Sequence, residues 1–98
     1  MLFRRILVVD DELIQREVLA EIVKKITPEA EVIACCDGEE AWNTCLEYQG
    51  KIELILTDIN MPSLDGVGLI QRVAKSYPSV KMVFISAYQE FEYARNAI

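Results

Sequence analysis

Asp10 and Asp11 follow the apolar run Ile6-Leu7-Val8-Val9, and Asp58 follows Leu54-Ile55-Leu56-Thr57. A carboxylate set directly after such a run lies at a strand end, next to a core that disfavours charge. Acids crowded together raise one another's pKa values. A hard divalent cation reverses that penalty, and Mg²⁺ takes an octahedron of oxygens at roughly 2.0–2.1 Å, several of them water. Two or three carboxylates and a backbone carbonyl complete the set. Asn60, where the chain turns away from its strand, is placed to lend that carbonyl. Such a cation can bridge a carboxylate and an incoming phosphoryl oxygen, and a carboxylate can itself accept phosphorus as an aspartyl phosphate. Asp58 suits that role best. It ends its strand alone and would face Ser86, whose hydroxyl can bond a phosphoryl oxygen.

The elements that must bring these residues together are legible in the pattern. Ile6–Val9 reads as a strand covered on both faces. The residues Ile14, Val18, Leu19, Ile22, Val23 and Ile26 recur at helical spacing over Leu13–Ile26, and Pro28 stops that helix. Glu31–Cys36 is the second strand. Asp37 is the expected N-cap of a second helix, with Glu40 in capping-box position. Its buried stripe is Ala41, Trp42, Cys45 and Leu46, and Gly50 lies past its end. Ile52–Thr57 is the third strand and 60–64 a loop containing Pro62. Asp65 is a candidate cap for a third helix with Leu69, Ile70, Val73 and Tyr77 on its apolar side. Val80–Ser86 is the fourth strand, and a fourth helix starts at Gln89.

Strict β-α alternation implies an α/β fold, a doubly wound parallel sheet with helices on both faces. In such sheets ligands bind beyond the carboxyl ends of the strands, where the strand order reverses. With the order 2-1-3-4 the first and third strands are neighbours, and the three acids meet in one pocket.

The remaining composition bounds the function. A chain of 98 residues, 52% apolar, fits one packed domain. No apolar run approaches a membrane span and no signal peptide is visible, so a cytoplasmic protein is expected, with no membrane partner. A net charge of −6 argues against nucleic acid binding by this segment itself. There is no His, so any imidazole in the mechanism comes from another molecule. Cys35, Cys36 and Cys45 match no metal spacing and read as reduced thiols. A lone Asp after a strand is usually a helix cap or a solvated loop residue, and Asp11 could cap the first helix. Two strand ends bearing acids, with Asn-Met-Pro and Asp-Gly at short fixed distances, weigh against that reading.

VVDDE near the amino terminus, LILTDINMPSLDG in the middle and VFISAY near the end resemble the receiver domain of bacterial two-component response regulators, over essentially the whole chain. The resemblance implies a flavodoxin-like fold with Asp58 as phosphoacceptor. It implies Asp10 and Asp11 as the acidic pair that holds Mg²⁺, with Asn60 lending its carbonyl. Ser86 matches the hydroxyl residue that moves toward the phosphoryl group, and Ala87 the small residue that leaves access open. Pro62 and Gly66 match loop positions beside the site. The implied partner is a sensor histidine kinase, whose phosphohistidine donates the phosphoryl group. Movement of Ser86 would shift a surface carrying Tyr88, Phe91 and Tyr93. The stretch SAYQEFEYARNAI is similar to receivers coupled to AraC-type DNA-binding output domains.

Receivers normally continue through a fifth strand and helix. This sequence stops before either, without the lysine that pairs with phosphate in the family. The fourth strand is then expected to form an apolar sheet edge that self-associates, as a homodimer or a strand-exchanged oligomer, and phosphorylation to be weaker than in a full receiver. Two alternatives remain at this point. One is an aspartyl-phosphate phosphatase of haloacid dehalogenase type, although its acids stand as D-x-D after the first strand. The other is an interaction module that works without phosphorylation.

Overall fold

The computed structural model describes residues 4–58 and 66–85. Four strands and three helices alternate along them. They are β1 (Arg5–Val9), α1 (Leu13–Ile26), β2 (Glu31–Cys35), α2 (Gly38–Glu47), β3 (Leu54–Asp58), α3 (Gly66–Ser76) and β4 (Lys81–Ile85). All pairings are parallel, in the order β2-β1-β3-β4. The expected doubly wound sheet and its 2-1-3-4 order are therefore present.

Side-chain alternation along β1 and β3 splits the core in two. Leu7, Val9 and Ile55 pack with Ala41 and Cys45 of α2 and Leu69 and Val73 of α3. Ile6 and Val8 pack on the opposite face with Val23 of α1, joined by Leu19, Leu54 and Leu56. A strand buried on both faces needs apolar residues at every position, which is why β1 reads as a continuous run.

Several local expectations shift. β2 ends at Cys35 rather than Cys36, because Cys36 turns out to serve the α2 cap. β3 starts at Leu54, not Ile52, and runs on to Asp58. Asp37 caps α2 as expected, its Oδ1 accepting from the Glu40 N–H at 2.8 Å. The returning bond differs: Glu40 Oε1 accepts from the N–H of Cys36, one residue before the cap. Past α2, Gln49 and Gly50 both have positive φ, and the Gly50 N–H bonds the Cys45 carbonyl at 2.9 Å. The Tyr77 ring lies where a Cβ on Gly50 would stand. Tyr77 also faces Trp42, with ring centroids 6.1 Å apart.

The apolar periodicity of α1 overstates its burial. Ala20 and Val23 are buried, while Ile14 and Ile26 are 76% and 73% exposed and Val18 and Ile22 are also open. The helix packs against β1 and β2. Its apolar residues are spread too widely for that one contact. Ile14, Val18 and Ile22 instead line a groove with Ile85 that ends at Asp10 and Asp58. The expected Asp65 cap, the 60–64 loop and the helix from Gln89 lie outside the described residues.

Candidate metal and phosphoryl site

Each acid is placed by the end of a strand. Asp10 follows β1 directly and is 6% exposed. Its N–H donates to the Cys35 carbonyl at 3.1 Å, tying the ends of β1 and β2 together. Its Oδ1 accepts from the Glu12 N–H at 2.9 Å, and its carbonyl accepts from Arg16 Nη1 at 2.9 Å. Asp11 stands exposed in the turn between β1 and α1. The N-cap position of α1 is Glu12, whose side chain makes no cap bond, so Asp11 does not cap that helix. Asp58 is the last residue of β3, half-buried, and pairs in register with Ile85 of β4. The buried Thr57 hydroxyl donates to the Asp58 carbonyl at 3.0 Å.

Because β1 and β3 are neighbours with Val9 opposite Thr57, their ends bring the three acids together. One carboxylate oxygen from each of Asp10, Asp11 and Asp58 lies within 4.8 Å of the others. An octahedral Mg²⁺ places its oxygens about 3 to 4 Å apart, so these donors fit a hard cation by type and spacing. Burial pushes the Asp10 carboxyl up from its ordinary value. The Glu12 N–H works against that rise, while the charges of Asp11 and Glu12 add to it. A protein that gathers anions in a half-buried pocket favours a counter-ion there.

Of the residues expected at the site, the structure thus unites Asp10, Asp11 and Asp58. Asn60, Ser86, Ala87, Tyr88, Phe91 and Tyr93 lie outside the described residues. Sequence reasoning missed Arg16. The available signal was its charge: a cation in the first turn of α1, where the helix dipole is unfavourable and the turn itself holds no acidic residue.

Fold and site together define a doubly wound α/β domain with an acidic, oxygen-rich centre at its switch point. The model of the response regulator receiver domain matches residues 6–98, and the chain belongs to that family. It is 36% identical over 95 residues to the transcriptional regulatory protein YesN of Bacillus subtilis, covering 96% of this chain and 25% of that protein. Among solved structures, a two-component transcriptional regulator AraC from Clostridium phytofermentans is 34% identical with a TM-score of 0.75, covering 97% of this chain and 73% of that one. The response regulator TrrA of Thermotoga maritima, solved in complex with Mg²⁺–BeF, is 31% identical with a TM-score of 0.77, covering 93% and 76%. The chain spans between 6% and 42% of the length of curated relatives such as these.

Proposed function

We propose that Asp58 is the phosphoacceptor of this receiver domain and that Asp10 and Asp11, with Asp58 and the Asn60 carbonyl, hold Mg²⁺. The observation that carries the reading is the convergence of three carboxylate oxygens at the carboxyl ends of β1 and β3. When bound, Mg²⁺ neutralises the carboxylates and one phosphoryl oxygen. The donor is a phosphohistidine of a sensor histidine kinase. An Asp58 oxygen forms the new bond to phosphorus as the bond to the imidazole nitrogen breaks, and the imidazole leaves with the electron pair. Thr57, through its bond to the Asp58 carbonyl, steadies the strand end during that exchange.

Ser86 follows Ile85, the register partner of Asp58, and its hydroxyl answers the new dianion. Ala87 leaves room for it. Tyr88, Phe91 and Tyr93 carry the change to a surface that controls an output domain, of AraC-type DNA-binding character, and hence transcription. The work is signalling in the cytoplasm, with no separate metabolite turned over. Among the described residues no helix is long and apolar enough to cross a membrane.

Mass spectrometry after incubation with acetyl phosphate and Mg²⁺ tests the assignment. The expected result is one added phosphoryl group, dependent on Mg²⁺ and lost in Asp58→Ala. Label that persists in Asp58→Ala, or turnover of a generic phosphate ester, overturns it.

A further inference from the structure

Both metal-binding acids of the amino-terminal motif sit in a turn of three residues, Asp10 to Glu12, between β1 and α1. Hydrogen bonds fix most of Asp10. Its N–H is held by Cys35 and its side chain by Glu12. The carbonyl of the peptide that joins Asp10 to Asp11 accepts from Arg16 Nη1 at 2.9 Å. A peptide unit is planar, so fixing that carbonyl also fixes the direction in which Asp11 leaves the turn.

We infer that Arg16 is a positioning residue for the cation, aiming the Asp11 carboxylate by holding the 10–11 peptide plane. The inference rests on the metal reading above. Two observations set Arg16 apart from a surface cation. Among the described residues it forms no ion pair within 4.0 Å, so the carbonyl bond is not a by-product of a salt bridge. Helix stability does not explain it either, because a cation in the first turn opposes the macrodipole. Arg16 is half-buried, and its guanidinium reaches back from α1 to the carboxyl end of β1. Among the described residues Arg16 bonds a backbone carbonyl and no carboxylate, so it acts on the orientation of the turn.

Orientation has a signature that stability lacks. Mg²⁺ demands a near-ideal octahedron, whereas Ca²⁺ tolerates irregular ligands. Calorimetric titration of the unmodified protein, Arg16→Met and Arg16→Lys with each cation reads the difference. Arg16→Met is expected to weaken Mg²⁺ about tenfold or more, the usual effect of losing an outer partner of a ligand, and Ca²⁺ by much less. Arg16→Lys, which keeps a donor, recovers part of the loss. Equal weakening of both cations, or unchanged Mg²⁺ affinity in Arg16→Met, overturns the role of Arg16 alone. An unmodified protein that binds no Mg²⁺ overturns the metal reading and this inference together.

Discussion

Burial holds the Asp10 carboxyl above its ordinary value despite the hydrogen bond from Glu12. A folded-state pKa above the unfolded one contributes stability that is fully present below the unfolded value and lost as pH rises through the folded one. Ionising Asp10 therefore weighs against the metal-free fold. Asp10→Asn should raise the melting temperature without metal, by about 4–8 °C for each kcal/mol relieved. It should also shrink the further rise that Mg²⁺ gives the unmodified protein. Thermal melts with and without Mg²⁺ check both, and an undiminished Mg²⁺ response in Asp10→Asn would count against the site. The thiols give a second test at this scale. Burial pushes Cys35 up to about 12 and Cys45 up to about 11, while Cys36 is exposed. A thiol reagent should label one cysteine rapidly in the native protein and three after unfolding. From the ordinary thiol value of 9.0 up to about 12, stability should fall as both buried thiols are forced to ionise.

At the scale of elements, α2 is fastened at both ends. Its N-cap bond from Asp37 is the kind whose loss costs about 1 kcal/mol, so Asp37→Ala should lower the stability measured by denaturation by that amount. At the other end Gly50 combines positive φ with contact against Tyr77. Gly50→Ala should cost about 1–2 kcal/mol from the left-handed backbone alone, and more from displacing Tyr77. Chemical denaturation measures both; a neutral Gly50→Ala would mean that the turn is not held as described. Most of this was legible in the sequence. Continuous apolar runs mark strands covered on two faces, and Asp37 with Glu40 marks a helix start. The partner chosen by Glu40 was not legible, because the turn before the cap decides which N–H it meets. Nor was the exposed side of α1. Periodicity records which residues are apolar, but only the packing of α1 on β1 and β2 decides which of them are covered.

For the whole molecule, the order of the strands is what makes three distant acids into one site. Asp10 and Asp58 are far apart in sequence, and only the parallel pairing of β1 with β3 brings their strand ends together. The convergence was legible because a carboxylate at the end of a buried apolar run is costly unless a counter-charge meets it there. Arg16 was not, since a cation at an unfavourable helix position does not reveal which carbonyl it bonds. The exposed Ile14, Val18, Val83 and Phe84 form apolar surface on α1 and on β4, which ends the sheet among the described residues.

The most direct test of the central claim is a crystal structure of this protein grown with Mg²⁺ and beryllofluoride. The account predicts one metal ion among Asp10, Asp11 and Asp58, with the fluoroberyllate bonded to an Asp58 oxygen beside it. A fluoroberyllate on any other residue, or a metal bound away from these three carboxylates, would contradict it.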